Sequence, residues 1–137
     1  MLHADAISRY KQVVVSTSTP GELLLALYGG LFSYLRQARL LIENKQRGKA
    51  AERISHARAI VVELELALDH DVHPELCANL SALYGFCLDR LRLATREDST
   101  EALDEVVRVL TPLQQAWKMA VPKATAEQGR LDSPRRR

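Results

Sequence analysis

The residues best suited to chemistry in this sequence lie at positions 69–73, which read Asp-His-Asp-Val-His. Carboxylate and imidazole groups are common metal ligands, so this cluster could in principle hold a metal ion. The same five residues separate two helical patterns, and polar residues in that position are typical of a solvated turn. A turn is therefore the favoured interpretation. A metal enzyme built around His70 and His73 is kept as a third hypothesis, after two non-enzymatic ones.

Other catalytic patterns are missing from the sequence. A helical di-iron protein needs Glu-x-x-His pairs on facing helices, and the sequence has no such pair. It also lacks a glycine-rich phosphate loop, a nucleophile elbow and a Cys-x-x-Cys motif. Cys77 and Cys87 are ten positions apart on one predicted helix, roughly 15 Å, so they cannot form a disulfide with each other and are interpreted as small core residues. We therefore expect no enzyme, no cofactor and no metal.

The composition is that of one globular domain. The 137 residues are 47% hydrophobic and 26% charged, and this length is sufficient to bury a core without disulfides. The net charge is +2, but the basic excess lies in residues 122–137, whereas nucleic-acid binders usually concentrate it on the folded body. The uncharged run at 23–35 is shorter than the roughly 20 residues that span a bilayer. No secretory signal is visible, so a cytoplasmic protein without nucleic-acid binding or membrane insertion is expected.

Apolar residues recur at helical spacing along most of the chain. The pattern predicts long amphipathic helices over about 20–45, 49–69, 75–96 and 100–121. Thr19 is a suitable N-cap, and Pro20 fits the first position of the helix that follows. The predicted fold is all-α: an antiparallel four-helix bundle with an additional short N-terminal helix over 2–15 and a disordered C-terminal tail.

Two prolines set the predicted limits of the last helix. Pro112 lies inside the helical pattern, so we expect a bend between Arg108 and Pro112 with the helix continuing beyond it. Pro122 is expected to end the helix. These limits give one bundle domain over 1–121 and a disordered basic tail over 122–137.

The predicted helices carry more apolar surface than one buried face requires. Apolar residues at 23–35 cover about half of the helix circumference, whereas packing on one side needs an arc of little over 100°. Val62 with Leu66, and Tyr84 with Leu88, form further apolar pairs at i, i+4. Either the helix over 20–45 is central in the bundle, or the surplus apolar surface forms a groove for a partner's apolar segment. Glycines 29, 30 and 85 would then allow close backbone approach, between helices or to a bound chain, or would mark a kink.

Four sequence blocks resemble the FliS family of flagellar export chaperones, in the family's order and at about its spacing over residues 7–121. The blocks are Ile7-Ser8-Arg9-Tyr10, Thr19-Pro20-Gly21-Glu22-Leu23 with Leu27-Tyr28 and Gly30, Asn79-Leu80-Ser81-Ala82-Leu83-Tyr84, and Ala116-Trp117-Lys118. Each block alone is weak evidence, and together they make the resemblance specific.

The resemblance implies a cytoplasmic helical bundle that binds the disordered C-terminal segment of flagellin. Such a chaperone prevents premature polymerisation and delivers flagellin to the export gate of the flagellar type III apparatus. The family's N-terminal segment can cover part of the binding surface when cargo is absent, and a flagellar regulatory protein can also bind.

Seven residues are predicted to face or frame the partner site, whereas Trp117 is interpreted as a core residue. The seven are Ile7, Tyr10, Tyr28, Asn79, Leu83, Tyr84 and Leu88. The alternative is a homo-oligomeric helical adaptor whose apolar lines bury against a second copy, with a weak homodimer as its simplest form.

Overall fold

The computed structural model describes the backbone of residues 19–132 and the side chains of residues 19–121. The predicted N-terminal helix, with Ile7 and Tyr10, lies outside the described residues. Four helices follow in chain order, which confirms the predicted all-α bundle: α1 (Pro20–Glu43), α2 (Arg47–Leu66), α3 (Pro74–Glu97) and α4 (Thr100–Asp132).

The helix ends follow from local hydrogen bonding. The Thr19 hydroxyl accepts the Glu22 amide at 3.1 Å, and Pro20 occupies the first turn of α1, as predicted. At the other end of α1, Lys45 adopts a positive φ of 63°, which turns the chain out of the helix. The Ser99 hydroxyl accepts the Ala102 amide at 3.0 Å and so caps α4.

The last helix extends further than the sequence predicted. α4 continues through Pro112 and also through Pro122, so the prediction that Pro122 ends the helix is wrong. A proline removes one main-chain hydrogen bond, but the residues on both sides of it can still keep helical geometry. Next to Pro112, the Thr111 hydroxyl donates to the Val107 carbonyl oxygen at 2.6 Å. The bend expected here, and the division of the chain at residue 122, stay predictions.

The four helices form a square in which each helix packs against two others. The packed pairs within the described residues are α1 with α2, α2 with α3, α3 with α4, and α4 with α1. Arg39 of α1 reaches Asp104 of α4 at 2.6 Å and the Thr100 carbonyl oxygen at 3.3 Å. Arg47 pairs with Asp98, which joins the two loops at the same end of the bundle. Each helix therefore has an inward stripe and two flanks that border its neighbours.

Three of the glycines in the helices have different surroundings. A Cβ added at Gly21 would lie 2.8 Å from Cγ1 of Val121, so this glycine allows the start of α1 to approach α4 closely. At Gly29 and Gly85 an added Cβ would meet nothing within 4 Å among the described residues. The packing of the bundle therefore explains Gly21, and it does not explain Gly29 or Gly85.

Alanine at Gly21 and at Gly29 should change stability in opposite directions. Gly29→Ala should raise the free energy of unfolding by up to about 1 kcal/mol, because alanine is the better helix former and the site is open. Gly21→Ala should lower it, because the new methyl group collides with the Val121 side chain. Urea unfolding of both variants provides the measurement, and a similar gain in both would contradict the close contact between α1 and α4.

Candidate partner-binding surface

Helix α3 determines where the predicted site residues lie. Its buried stripe comprises Cys77, Leu80, Tyr84, Cys87, Leu91 and Ala94. Because successive residues turn by about 100° around a helix, the remaining residues divide into a flank toward α2 and a flank toward α4. The Ser81 hydroxyl, which donates to Glu65 of α2 at 2.7 Å, identifies the first flank. Arg90, which lies 3.8 Å from Glu105 of α4, identifies the second.

Tyr28 and Tyr84 are core residues and do not face a partner. Their exposed fractions are 0% and 2%, and their hydroxyl oxygens lie 2.8 Å apart in a buried hydrogen bond. The bond connects α1 to α3 across the diagonal of the square. The prediction that these two rings face a partner is corrected, because each lies on the buried stripe of a helix that has packed neighbours on two sides. That they frame the site from within stays a prediction.

Burial changes the acid–base properties of the tyrosine pair and of Cys87. Loss of solvation raises the pKa of Tyr84, and its hydrogen bond to Tyr28 raises it further. Burial also raises the pKa of Tyr28, while the Tyr84 hydroxyl and the nearby Trp117 indole oppose the rise. The nearby Cys87 thiol has its pKa raised by burial from the usual 9.0 to about 12. All three groups are therefore neutral at physiological pH.

Helical spacing places two mainly apolar rows along the line where α3 packs against α4. The α3 row comprises Leu76, Asn79, Leu83 and Phe86, and the α4 row comprises Val109, Pro112 and Ala116. The α3 residues recur every three or four positions in the same helical row as Arg90, and the α4 residues recur in the same row as Glu105. Because Arg90 and Glu105 are paired, the two rows lie on the same side of the bundle. We call these seven residues the α3–α4 groove.

The exposure of the groove suits an apolar ligand. Leu76 is 49% exposed and Phe86 39%, while Leu83 and Val109 are half-buried. The Arg90 guanidinium lies 5.5 Å from the centre of the Phe86 ring, a cation–π contact that holds the ring against the helix. At the N-terminal end of α3, Leu76 and Asn79 also line a depression together with Val72, His73, Pro74 and Glu75.

The flank toward α2 carries a second apolar surface. Val62 is 40% exposed and Leu66 75%, and Gly85 and the half-buried Leu88 lie on the α3 side of it. Val62 and Leu66 thus retain the exposed surface that the sequence indicated. Leu88 lies on the opposite flank of α3 from Asn79 and Leu83, so the structure does not bring these three predicted residues together.

Five residues of the groove were not among the predicted site residues: Leu76 and Phe86 on α3, and Val109, Pro112 and Ala116 on α4. Leu76 and Phe86 lie in the same helical row as Asn79 and Leu83, and their spacing alone could have placed them there. Phe86 was not predicted as a site residue because the type of an aromatic residue does not show whether it is exposed or buried in the core. Trp117 is packed against the core, as predicted.

The Asp69–His73 cluster forms a turn. The Asp69 carboxylate accepts the Asp71 amide at 3.1 Å, and the Cys77 thiol donates to the Asp69 carbonyl oxygen at 3.3 Å. Within the described residues, no group of three or more His, Cys, Asp or Glu side chains is placed to hold a metal ion. In the same part of the chain, no helix has the length and apolar character needed to cross a membrane.

Comparison with known proteins gives one consistent result. The family model described as "Flagellar protein FliS" matches residues 3–124. The flagellar secretion chaperone FliS of Bacillus subtilis is 37% identical over 112 residues, which cover 82% of this chain and 83% of the relative. The chaperone of the same name from Salmonella typhimurium is 33% identical over 135 residues, which cover 95% of this chain and the whole relative.

A solved structure shares the fold. It is described as a flagellar chaperone from bacteria, and it superposes with a TM-score of 0.71 over 88% of this chain and 98% of its own. Its sequence identity is 22%, so the likeness concerns the fold alone.

The tyrosine pair should give a non-additive double-mutant cycle. Tyr28→Phe and Tyr84→Phe each leave one buried hydroxyl without its partner, so each should lower the free energy of unfolding by about 1–3 kcal/mol. The double variant removes both hydroxyls together and should cost less than the sum of the two. Urea unfolding of the four proteins provides the measurement, and additive effects would show that the hydroxyl bond contributes nothing to stability.

Alkaline pH should destabilise the bundle through Cys87. Above pH 9 the thiol ionises in the unfolded chain, whereas in the folded chain it keeps its proton up to about pH 12. Above pH 9 the unfolded state therefore binds fewer protons than the folded state. The free energy of unfolding has its full value below pH 9 and falls as the pH rises toward 12. Cys87→Ala should flatten this fall in a series of urea denaturations between pH 8 and pH 11. An unchanged slope in Cys87→Ala would argue against the raised pKa.

Proposed function

The chain belongs to the FliS family of flagellar secretion chaperones, and from this premise we propose that it binds the disordered C-terminal segment of flagellin in the cytoplasm. Binding keeps flagellin from polymerising prematurely, and the complex delivers it to the export gate of the flagellar type III apparatus. A flagellar regulatory protein is a further partner under this proposal.

The observation that carries the proposal is the row of partly exposed apolar residues in the α3–α4 groove. A disordered segment loses conformational entropy when it binds, so it needs an extended apolar track rather than a compact pocket. The α3 row from Leu76 to Phe86 spans eleven residues, or roughly 15 Å of helix, and the depression at its end lengthens it. An amphipathic helix of the partner can place its apolar face along such a groove.

The polar residues of the groove support a peptide ligand. Asn79 is exposed among apolar neighbours, and its amide can both donate to and accept from a peptide backbone. At the opposite end the half-buried Arg90 and Glu105 border the track. Polar groups at both ends with apolar residues between them restrict the position in which an amphipathic segment docks.

Two leucines of similar exposure offer a matched test. Leu76 lies in the groove and is 49% exposed, while Leu40 lies on the outer face of α1 and is 60% exposed. Leu76→Ala should weaken binding of purified flagellin about five- to tenfold, because the shorter side chain buries less apolar surface on binding. Leu40→Ala should leave the affinity unchanged. Isothermal titration calorimetry measures both, and Phe86→Ala should behave like Leu76→Ala.

The identity of the ligand segment requires a separate experiment. Flagellin without its C-terminal segment should not bind, and the segment alone, as a synthetic peptide, should bind in a 1:1 complex. Binding that survives this deletion would refute the proposal. Light scattering of the chaperone alone should show a monomer, and a stable dimer that Leu66→Ala dissociates would favour the homo-oligomeric adaptor instead.

A further inference from the structure

The part of α4 between its two prolines differs from the part before Pro112. Four residues between positions 102 and 110 are buried: Ala102, Leu103, Val106 and Leu110. From 113 to 121 only Val121 is buried, while Ala116, Met119 and Ala120 are exposed. The second half is thus held to the bundle by fewer buried contacts, although the helix itself is continuous.

The main-chain hydrogen bonding of α4 is also interrupted at both ends of this segment. Pro112 and Pro122 have no amide hydrogen, so the helix lacks one main-chain hydrogen bond at each end of the segment. The Thr111 hydroxyl bonds to the Val107 carbonyl oxygen one turn earlier, an arrangement that often accompanies bending of a helix. Residues 113–121 therefore form a segment with a weak point at Pro112.

The segment carries a polar group whose bonding is incomplete. The indole N–H of Trp117 is buried and has no hydrogen-bond partner within the described part of the chain. A buried donor without a partner is unfavourable, and such groups are rare in folded proteins. Trp117 packs against the core cluster that contains Tyr28, and the Tyr28 hydroxyl oxygen can accept a bond beyond the one it shares with Tyr84. A small rotation of the segment would bring donor and acceptor together.

We propose that residues 113–121 of α4 are a movable wall of the α3–α4 groove, which turns at Pro112 so that the Trp117 indole N–H donates to the Tyr28 hydroxyl when an apolar segment fills the groove. Ala116 belongs both to this wall and to the groove, so an occupant contacts the wall directly. The link to the occupant rests on the proposed function, whereas the mobility of the wall does not.

Hydrogen exchange of the protein without ligand tests the mobility. Backbone amides at 113–121 should exchange at least about tenfold faster than those at 102–110, because local opening at the weak point does not require global unfolding. Pro112→Ala restores the missing hydrogen bond and should reduce this difference. Pro74→Ala is the matched control, since Pro74 lies in the first turn of α3, where a helix needs no amide, and it should leave the difference unchanged. Equal protection of both halves would overturn the proposal.

Nuclear magnetic resonance of the indole tests the contact. The chain has a single tryptophan, so an ¹⁵N-labelled sample gives one indole N–H signal. Addition of the flagellin C-terminal peptide should move this signal downfield as the bond to Tyr28 forms. Tyr28→Phe should abolish the shift, while Tyr84→Phe, which keeps the acceptor, should retain it. An unchanged indole signal in a complex verified by its backbone signals, or a shift that persists in Tyr28→Phe, would refute the contact.

The two proposals fail in different ways. If the peptide does not bind, the proposed function fails, and the exchange experiment still decides whether the wall moves. If the peptide binds without moving the indole signal, the proposed function is supported and the coupling to Trp117 is wrong.

Discussion

The hydrogen bond between Tyr28 and Tyr84 constrains the rest of the bundle. It joins α1 and α3, which lie diagonally opposite in the square and are not packed against each other within the described residues. An unpaired hydroxyl in that interior would cost about 1–3 kcal/mol, so rotations of either helix that separate the two oxygens are disfavoured. By fixing which side of α3 faces inward, the bond also determines which residues lie on its two flanks.

The orientation of α3 in turn explains the position of the groove. With Tyr84 directed inward, Asn79 and Leu83 lie toward α4 and Leu88 lies toward α2. Arg90–Glu105 is the ion pair on the α4 side, but both of its side chains are about 30% exposed and pairs of this kind contribute little energy. The groove therefore depends on the buried tyrosines more than on the charges along its edge.

Sequence reasoning located the helices well because their signals are local. The cap at Thr19 and the apolar spacing of each helix need no knowledge of neighbouring helices. Tyr28 was misplaced because periodicity gives the angle of a residue around its own helix and does not tell which neighbour covers it. Leu76 and Phe86 were missed for another reason: their spacing places them in one row with Asn79 and Leu83, but their residue types do not show that this row is exposed. Pro122 shows the limit of a local rule, since a proline weakens a helix without necessarily ending it.

The limited exposure of the groove reconciles two opposing demands on a secretion chaperone. A large, fully exposed apolar patch would bind many proteins and promote aggregation. Here Leu83 and Val109 are half-buried, and the polar Asn79 interrupts the apolar row on α3. A wall that closes on the occupant would add contacts only after binding, and this allows a shallow surface in the free state and a deeper one in the complex.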